Sequence, residues 1–170
     1  LSLMAAVNPA FGRVNDVFNS LIGIASLVLA WMLYVKFQAG LLPLGRIGLA
    51  LAVVGAIFTI VGSILVLFGY TGFVLAGWYT GIGNALIGLW LAIFCSAMLR
   101  STALPHNLVL FGLVVGGLMA FGLLGIPGII AKIDRMESLT WVLYLAFFSY
   151  LGTYILYPIW AFLLGRHLLK

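Results

Sequence analysis

Two histidines, His106 and His167, and one cysteine, Cys95, are the nitrogen and sulfur ligands this sequence offers to a metal. They share no zinc-type spacing, and a lone cysteine forms no intrachain disulfide. Cys95 lies in an apolar run and reads as a small hydrophobe. The histidines fall at span ends on one side, where interfacial polar residues are a simpler reading than haem ligands. The three acids, Asp16, Asp134 and Glu137, also fall at the ends of apolar stretches. That placement leaves no paired carboxylates for general acid–base work and no deep proton relay. Gly81-Ile82-Gly83-Asn84 lacks the lysine and strand of a phosphate loop. The chain is read as non-enzymatic, with no metal and no cofactor.

Three groups of residues could bind rather than react. The first heads the first apolar segment: Arg13, Asn15, Asp16 and Asn19. Arg13 and Asp16 are three apart, within ion-pair reach on a helix, and Asn15 and Asn19 share a face. The group reads first as a self-satisfied interfacial turn, and otherwise as a grip for a lipid headgroup, a cofactor edge or a partner helix. The second is a midplane layer: Ser26, Thr59, Asn84 and Ser149 reach similar depth when the spans are folded up and down. Asn84 is the only amide deep in a span, so it is expected to face inward and be hydrogen-bonded. Ser and Thr can bond the preceding turn instead. Helix glue or a small ligand pocket are the two roles open to this layer. The third is the loop Lys132–Ser138, whose charges alternate and cancel. It is expected to be solvated, or to form a short interfacial helix.

The elements that must carry these residues are fixed by composition. Residues are 65% hydrophobic and only 6% charged, whereas a soluble domain carries about 25% charged residues. A soluble fold is excluded, and so is disorder. The net charge is 8 − 3 = +5, with the basic residues scattered singly at span ends. They read as headgroup anchors, and no nucleic-acid site is expected. A span needs about 20 apolar residues. Five fit, at 17–36, 46–68, 73–99, 106–126 and 139–165. The fold expected over residues 1–170 is therefore one all-α, polytopic transmembrane helical bundle of five spans. Pro43 and Pro105 precede spans, Pro127 and Gly128 are expected to close the fourth, and Pro158 should kink the fifth. Lys36 follows the first span directly, so that span is not read as a cleaved leader. Five spans form no pair of inverted halves. Lys and Arg near span ends number five on the C-terminal side against three on the other, which orients the C-terminus to the cytoplasm. Trp78, Tyr157 and Trp160 are read with other aromatics as an interfacial belt.

Small residues recur four apart, as close helix contacts in lipid require. Span two has Gly48-Ala52-Ala56 and Gly55-Thr59-Ser63; span three has Gly77-Gly81-Ala85; span four has Gly112-Gly116-Ala120. A small bundle has limited interior for all of them. The Gly112-Gly116 strip is therefore expected to face outward onto another chain.

Tyr157-Pro158-Ile159-Trp160 with Leu164-Gly165-Arg166, together with Gly12-Arg13-Val14-Asn15-Asp16, resembles small multi-span bacterial inner-membrane proteins to which no activity is assigned. The resemblance covers most of the chain by span pattern. It implies a bacterial inner-membrane location and no catalytic residue. The function expected is an accessory or scaffolding subunit of a larger membrane complex, respiratory or photosynthetic. Its partners would be the lipid bilayer and other membrane-protein subunits. The alternative is a small transporter or ligand sensor built around Asn84.

Overall fold

A backbone in hydrocarbon meets no water, so each apolar segment must close its own hydrogen bonds as a helix. The computed structural model describes residues 9–41 and 44–169, with side chains over 14–37 and 44–169. All regular structure among the described residues is helical. Spans one to three are continuous: α1 (Pro9–Leu41), α2 (Leu44–Leu67) and α3 (Phe73–Met98). Span four joins α4 (His106–Ala120), a 3-10 turn (Phe121–Gly125) and α5 (Ile126–Ile130). Span five joins α6 (Trp141–Ala146), α7 (Phe148–Leu151), a π turn (Gly152–Leu156) and α8 (Tyr157–Leu168). Five segments are long and apolar enough to cross a membrane: Val14–Phe37, Leu44–Leu67, Phe73–Met98, His106–Ile130 and Trp141–Leu168. The chain is a multi-pass membrane protein whose apolar helices contact lipid.

Span four does not stop at Pro127 as expected. The 3-10 turn resets the helix, and Pro127 enters the first turn of α5, where its missing N–H leaves nothing unpaired. Pro158 is treated in the same way. It lies in the first turn of α8, directly after the π turn.

Span three is the axis of the bundle. Its most apolar window is 67% buried, against 28–39% for the other four. Spans two and four flank it, and span one lies on span two. Glycines let these backbones touch. A β-carbon on Gly55 would lie 2.6 Å from the Gly83 carbonyl, and one on Gly83 would lie 2.6 Å from the Gly55 carbonyl. On the other flank, a β-carbon on Gly116 would lie 2.6 Å from the Gly88 carbonyl and 2.9 Å from the Ala92 nitrogen. Gly112 covers the Cys95 thiol and the Trp160 indole. The Gly112-Gly116 strip thus faces span three and span five, not an outside chain. Four-residue spacing establishes a face but not its direction.

At the end of the bundle that holds Val14, here called the upper end, glycine and lysine stop two helices. Gly69 has φ 72° while the Tyr70 amide reaches the Leu65 carbonyl at 2.8 Å. Lys132 has φ 51° while the Ile133 amide reaches the Gly128 carbonyl at 2.9 Å. Both close a six-to-one turn that uses orphan helix carbonyls. The loop after Lys132 is no independent helix beyond the single turn Met136–Ser138. Asp134 instead accepts from the Gly72 amide at 2.6 Å and the Leu75 amide at 3.0 Å. It caps the N-terminus of α3, where a negative charge also suits the helix dipole.

Gly116→Ala should destabilise the protein by about 1–3 kcal/mol, because two backbone atoms would have to retreat. Gly117→Ala should not, because nothing lies within 4 Å of its β-carbon position. Thermal unfolding in mild detergent distinguishes them; equal losses would refute the contact. In a Cys95→Ala background, new cysteines at Ser138 and Leu169 should label from opposite faces of the membrane with an impermeant maleimide.

Candidate functional site

Span one buries a single stripe: Asp16, Asn19, Gly23, Ser26, Ala30 and Leu33, spaced three and four apart. Its lower half is apolar. Its upper half is polar, which a helix turned only toward packing partners would not need. The remaining faces present Val17, Phe18, Leu21, Val28, Trp31 and Met32 to lipid. Asp16 is 6% exposed, covered by the bundle although it lies only two residues inside the span that begins at Val14. The helix begins above it, at Pro9. Asn15 lies beside it. The side chain of Arg13 lies outside the described residues, and with it the expected ion pair to Asp16.

Span five faces this stripe with Tyr154 and Tyr157, while Tyr150 reaches toward Gly77 of span three. The Tyr154 hydroxyl donates to Asn19 Oδ1 at 2.7 Å, bridging spans one and five. Tyr154 also lies within electrostatic reach of Asp16. Further down, the Tyr157 and Ser26 hydroxyls face each other as a loose pair, close enough to interact but short of full hydrogen-bond geometry. These long side chains do most of the bridging, because the two helix backbones hardly approach.

The π turn lies in the middle of this face. The proline ring would clash with the carbonyl of Tyr154 in a regular helix, and a wider turn relieves that. The Tyr157 amide donates to the Gly152 carbonyl, and Pro158 offers no N–H. The Thr153 carbonyl is thereby left without its ordinary helical donor. The Thr153 hydroxyl is fully buried and also unpartnered.

Asn84 forms the floor. Span three meets span two through Ala76, Thr80, Gly83 and Ile87. It meets span four through Gly81, Ala85, Gly88 and Ala92. At about 100° per residue, Asn84 falls between these rows. Being 2% exposed, it is covered by what remains, spans one and five. Its Oδ1 has no partner among the described residues, contrary to the bonded amide expected. One turn above, Gly81 is buried, yet no atom beyond its own helix backbone lies within 4 Å of its β-carbon position. Above that again, the Tyr150 hydroxyl stands 3.6 Å from where a Gly77 β-carbon would be.

The expected midplane layer therefore divides. Asn84 is open, and Ser26 pairs only loosely with Tyr157. Thr59 bonds the Ala56 carbonyl at 2.8 Å and wedges between Gly23 and Gly83. Ser149 bonds the Ala146 carbonyl at 2.7 Å. Sequence reasoning missed Tyr150, Thr153, Tyr154 and Tyr157. Their spacing of three and four was the available signal, but an aromatic in an apolar run also suits a belt. Tyr157, Trp78 and Trp160 are buried rather than belt residues. Trp78 Nε1 donates to the Ile133 carbonyl at 3.2 Å, and Trp160 Nε1 to the Leu108 carbonyl at 3.1 Å. Indoles with internal acceptors do not need the interface. His106 is exposed, and no three metal-ligating side chains cluster among the described residues.

This arrangement is a polar seam at bilayer depth, lined by oxygen atoms. Among the described residues it offers no nucleophile–base pair. No protein-family model, curated protein or solved structure matches the chain.

Tyr154→Phe should cost about 1 kcal/mol, the worth of one interhelical hydrogen bond in a membrane. Asn84→Leu should cost nothing without a guest, because an unpartnered amide is exchanged for an apolar group of similar size. Denaturation in mild detergent reads both. An Asn84→Leu loss as large as that of Tyr154→Phe would show that Asn84 is bonded helix glue.

Proposed function

We propose that this protein is a non-enzymatic membrane protein that binds, and passes or senses, a small polar solute between spans one, three and five. The observation that carries the reading is the buried polar side chains of spans one, three and five whose oxygens are incompletely bonded: Asn84 Oδ1 and Thr153 Oγ1 stand open, and the Ser26 and Tyr157 hydroxyls pair only loosely with each other. Each would cost about 1–3 kcal/mol if left permanently unpaired. Alanine or leucine at the same positions would avoid that cost. A guest that completes their hydrogen bonds or coordination accounts for their retention. Broken helices at membrane depth support the same reading, since irregular backbone there is tolerated inside protein or beside a water-filled cavity. The distribution of Lys and Arg supports a cytoplasmic lower end, and the resemblance to small multi-span bacterial proteins supports a bacterial inner membrane.

The second reading is an accessory subunit of a larger complex. The feature favouring it is the long apolar face of span one, from Phe18 to Met32, which could take another helix. Lipid covers such a face equally well. The outward glycine strip that had been its main support is turned inward.

The test is water access. In a Cys95→Ala background, Gly81→Cys should react with a small hydrophilic maleimide or thiosulfonate added to intact membranes. The space around Gly81 makes the substitution tolerable. Gly116→Cys, locked between backbones, is not a fair probe; Ala85→Cys, fully buried against span four, should stay unlabelled. No reaction at Gly81→Cys in a folded protein would remove the solute-binding reading.

A further inference from the structure

We propose that the lower end of the protein docks one anionic phospholipid, in the groove that spans one, two and three form around Trp90. This groove is separate from the seam between spans one, three and five, and the proposal is independent of the solute-binding reading.

Two glycines open the groove. It is lined by Tyr34 of span one, Gly45 and Gly48 of span two, and Trp90, Ile93 and Phe94 of span three. A β-carbon on Gly48 would lie 3.2 Å from Trp90 Cδ1, so glycine there leaves room beside that edge of the indole. Phe94 stacks on the Trp90 ring with centroids 6.3 Å apart, and Phe37 meets Phe94 edge-on at 5.8 Å. The ring is thus held in place. Its Nε1 is bonded to Cδ1 and shares the edge that faces Gly48. Trp90 is 3% exposed, yet among the described residues its N–H has no acceptor, whereas those of Trp78 and Trp160 do. An indole N–H only donates, so the partner it lacks is an acceptor.

Charge decides which acceptor. The course of the spans brings Lys36, Arg46, Arg100 and Arg166 to the lower end and leaves the three acids, Asp16, Asp134 and Glu137, at the upper end. Two of these bases flank the groove. Lys36 follows Tyr34 by two residues, and Arg46 stands between Gly45 and Gly48 in the sequence; both are exposed. Gly45 also belongs to the first turn of α2, where free amides favour negative charge. Gly48 lies four residues, or about 6 Å, inside the start of that helix. The rim of the groove is therefore basic, and its floor, one turn deeper, is aromatic with one free N–H. A phospholipid presents its groups in the same order: phosphate at the rim, ester carbonyls a few ångströms deeper, then hydrocarbon. A zwitterionic headgroup would bring its own cation against Lys36 and Arg46. A headgroup of net negative charge is the one that fits.

The experiment uses the full chain in mild detergent, titrated with phosphatidylglycerol or with phosphatidylcholine of the same acyl chains. Native mass spectrometry counts the bound lipid and thermal unfolding follows its effect. One retained phosphatidylglycerol per chain is expected, with a saturable rise of a few degrees in melting temperature that phosphatidylcholine does not give. Lys36→Gln and Arg46→Gln, both at exposed positions, should each weaken binding about fivefold. Trp90→Phe keeps the ring and removes the N–H, and should weaken binding several-fold. Arg166→Gln, at the same end but on span five, should leave the affinity within about twofold. Equal retention of the two lipids, an Arg166→Gln loss as large as that of Arg46→Gln, or an unchanged affinity in Trp90→Phe would overturn the assignment. So would an equal rise with inorganic phosphate alone, which would make the groove a site for a free anion. If Trp90→Phe does not fold, the contrast of Lys36→Gln and Arg46→Gln with Arg166→Gln decides.

Discussion

Helices in lipid gain nothing by hiding apolar surface from one another, so this bundle depends on direct backbone contact at glycine. The reciprocal approach of Gly55 and Gly83 binds span two to span three, and that of Gly88 and Gly116 binds span four to it. Dispersion and weak Cα–H to carbonyl contacts operate only at such range. A methyl group at any of these positions would meet backbone, which cannot rotate away. These contacts consume the small-residue strips that might otherwise have met another chain.

A three-helix layer built in this way leaves one face of span three to be covered by spans one and five. Those spans do not close on each other through glycine. They are joined by the Tyr154–Asn19 hydrogen bond and by facing hydroxyls. Asp16, Asn19 and Ser26 lie on span one outside these glycine contacts, whereas Thr59 and Thr80 sit within them. At the upper end, Asp134 ties the loop after span four to the start of span three, and Trp78 is pinned by the Ile133 carbonyl. That end of the axis is therefore fixed, and the seam opens beside a rigid helix.

Much of the fold was legible because its cause is compositional. Uncharged length marked the five spans, and the Phe68–Gly72 break marked the turn between two of them. Asn84 was legible as an inward group because a single deep amide cannot face lipid. Directions were not legible. Gly112 and Gly116 announce a close contact, but only the fold shows which helix receives it. The burial of Asp16 was not legible, because a place near a span end does not say which way the side chain faces. Thr153 could not be singled out, since a threonine in a regular helix bonds the turn before it, as Thr59 does. Its open state follows from a π turn that Pro158 hints at but does not locate.

The seam also cannot be emptied by tighter packing. Span one is already at contact with span two, because a β-carbon on Gly23 would overlap the Thr59 side chain. Span five is already at contact with span four, because a β-carbon on Gly152 would lie 2.9 Å from the Met119 nitrogen. Spans two and four are in turn held against span three. The separation of spans one and five is thus set by four glycine contacts, none of which lies between them. Given that fixed width, the side chains alone decide what fills the gap. Phenylalanine at 157, leucine at 84 and alanine at 26 would fill it with hydrocarbon and leave nothing unpaired. The chain instead places oxygen at each of these positions, while Thr59, Ser63 and Ser149 elsewhere bond their own helices. Rigid walls with incompletely bonded oxygens between them are the feature on which the proposed solute site rests.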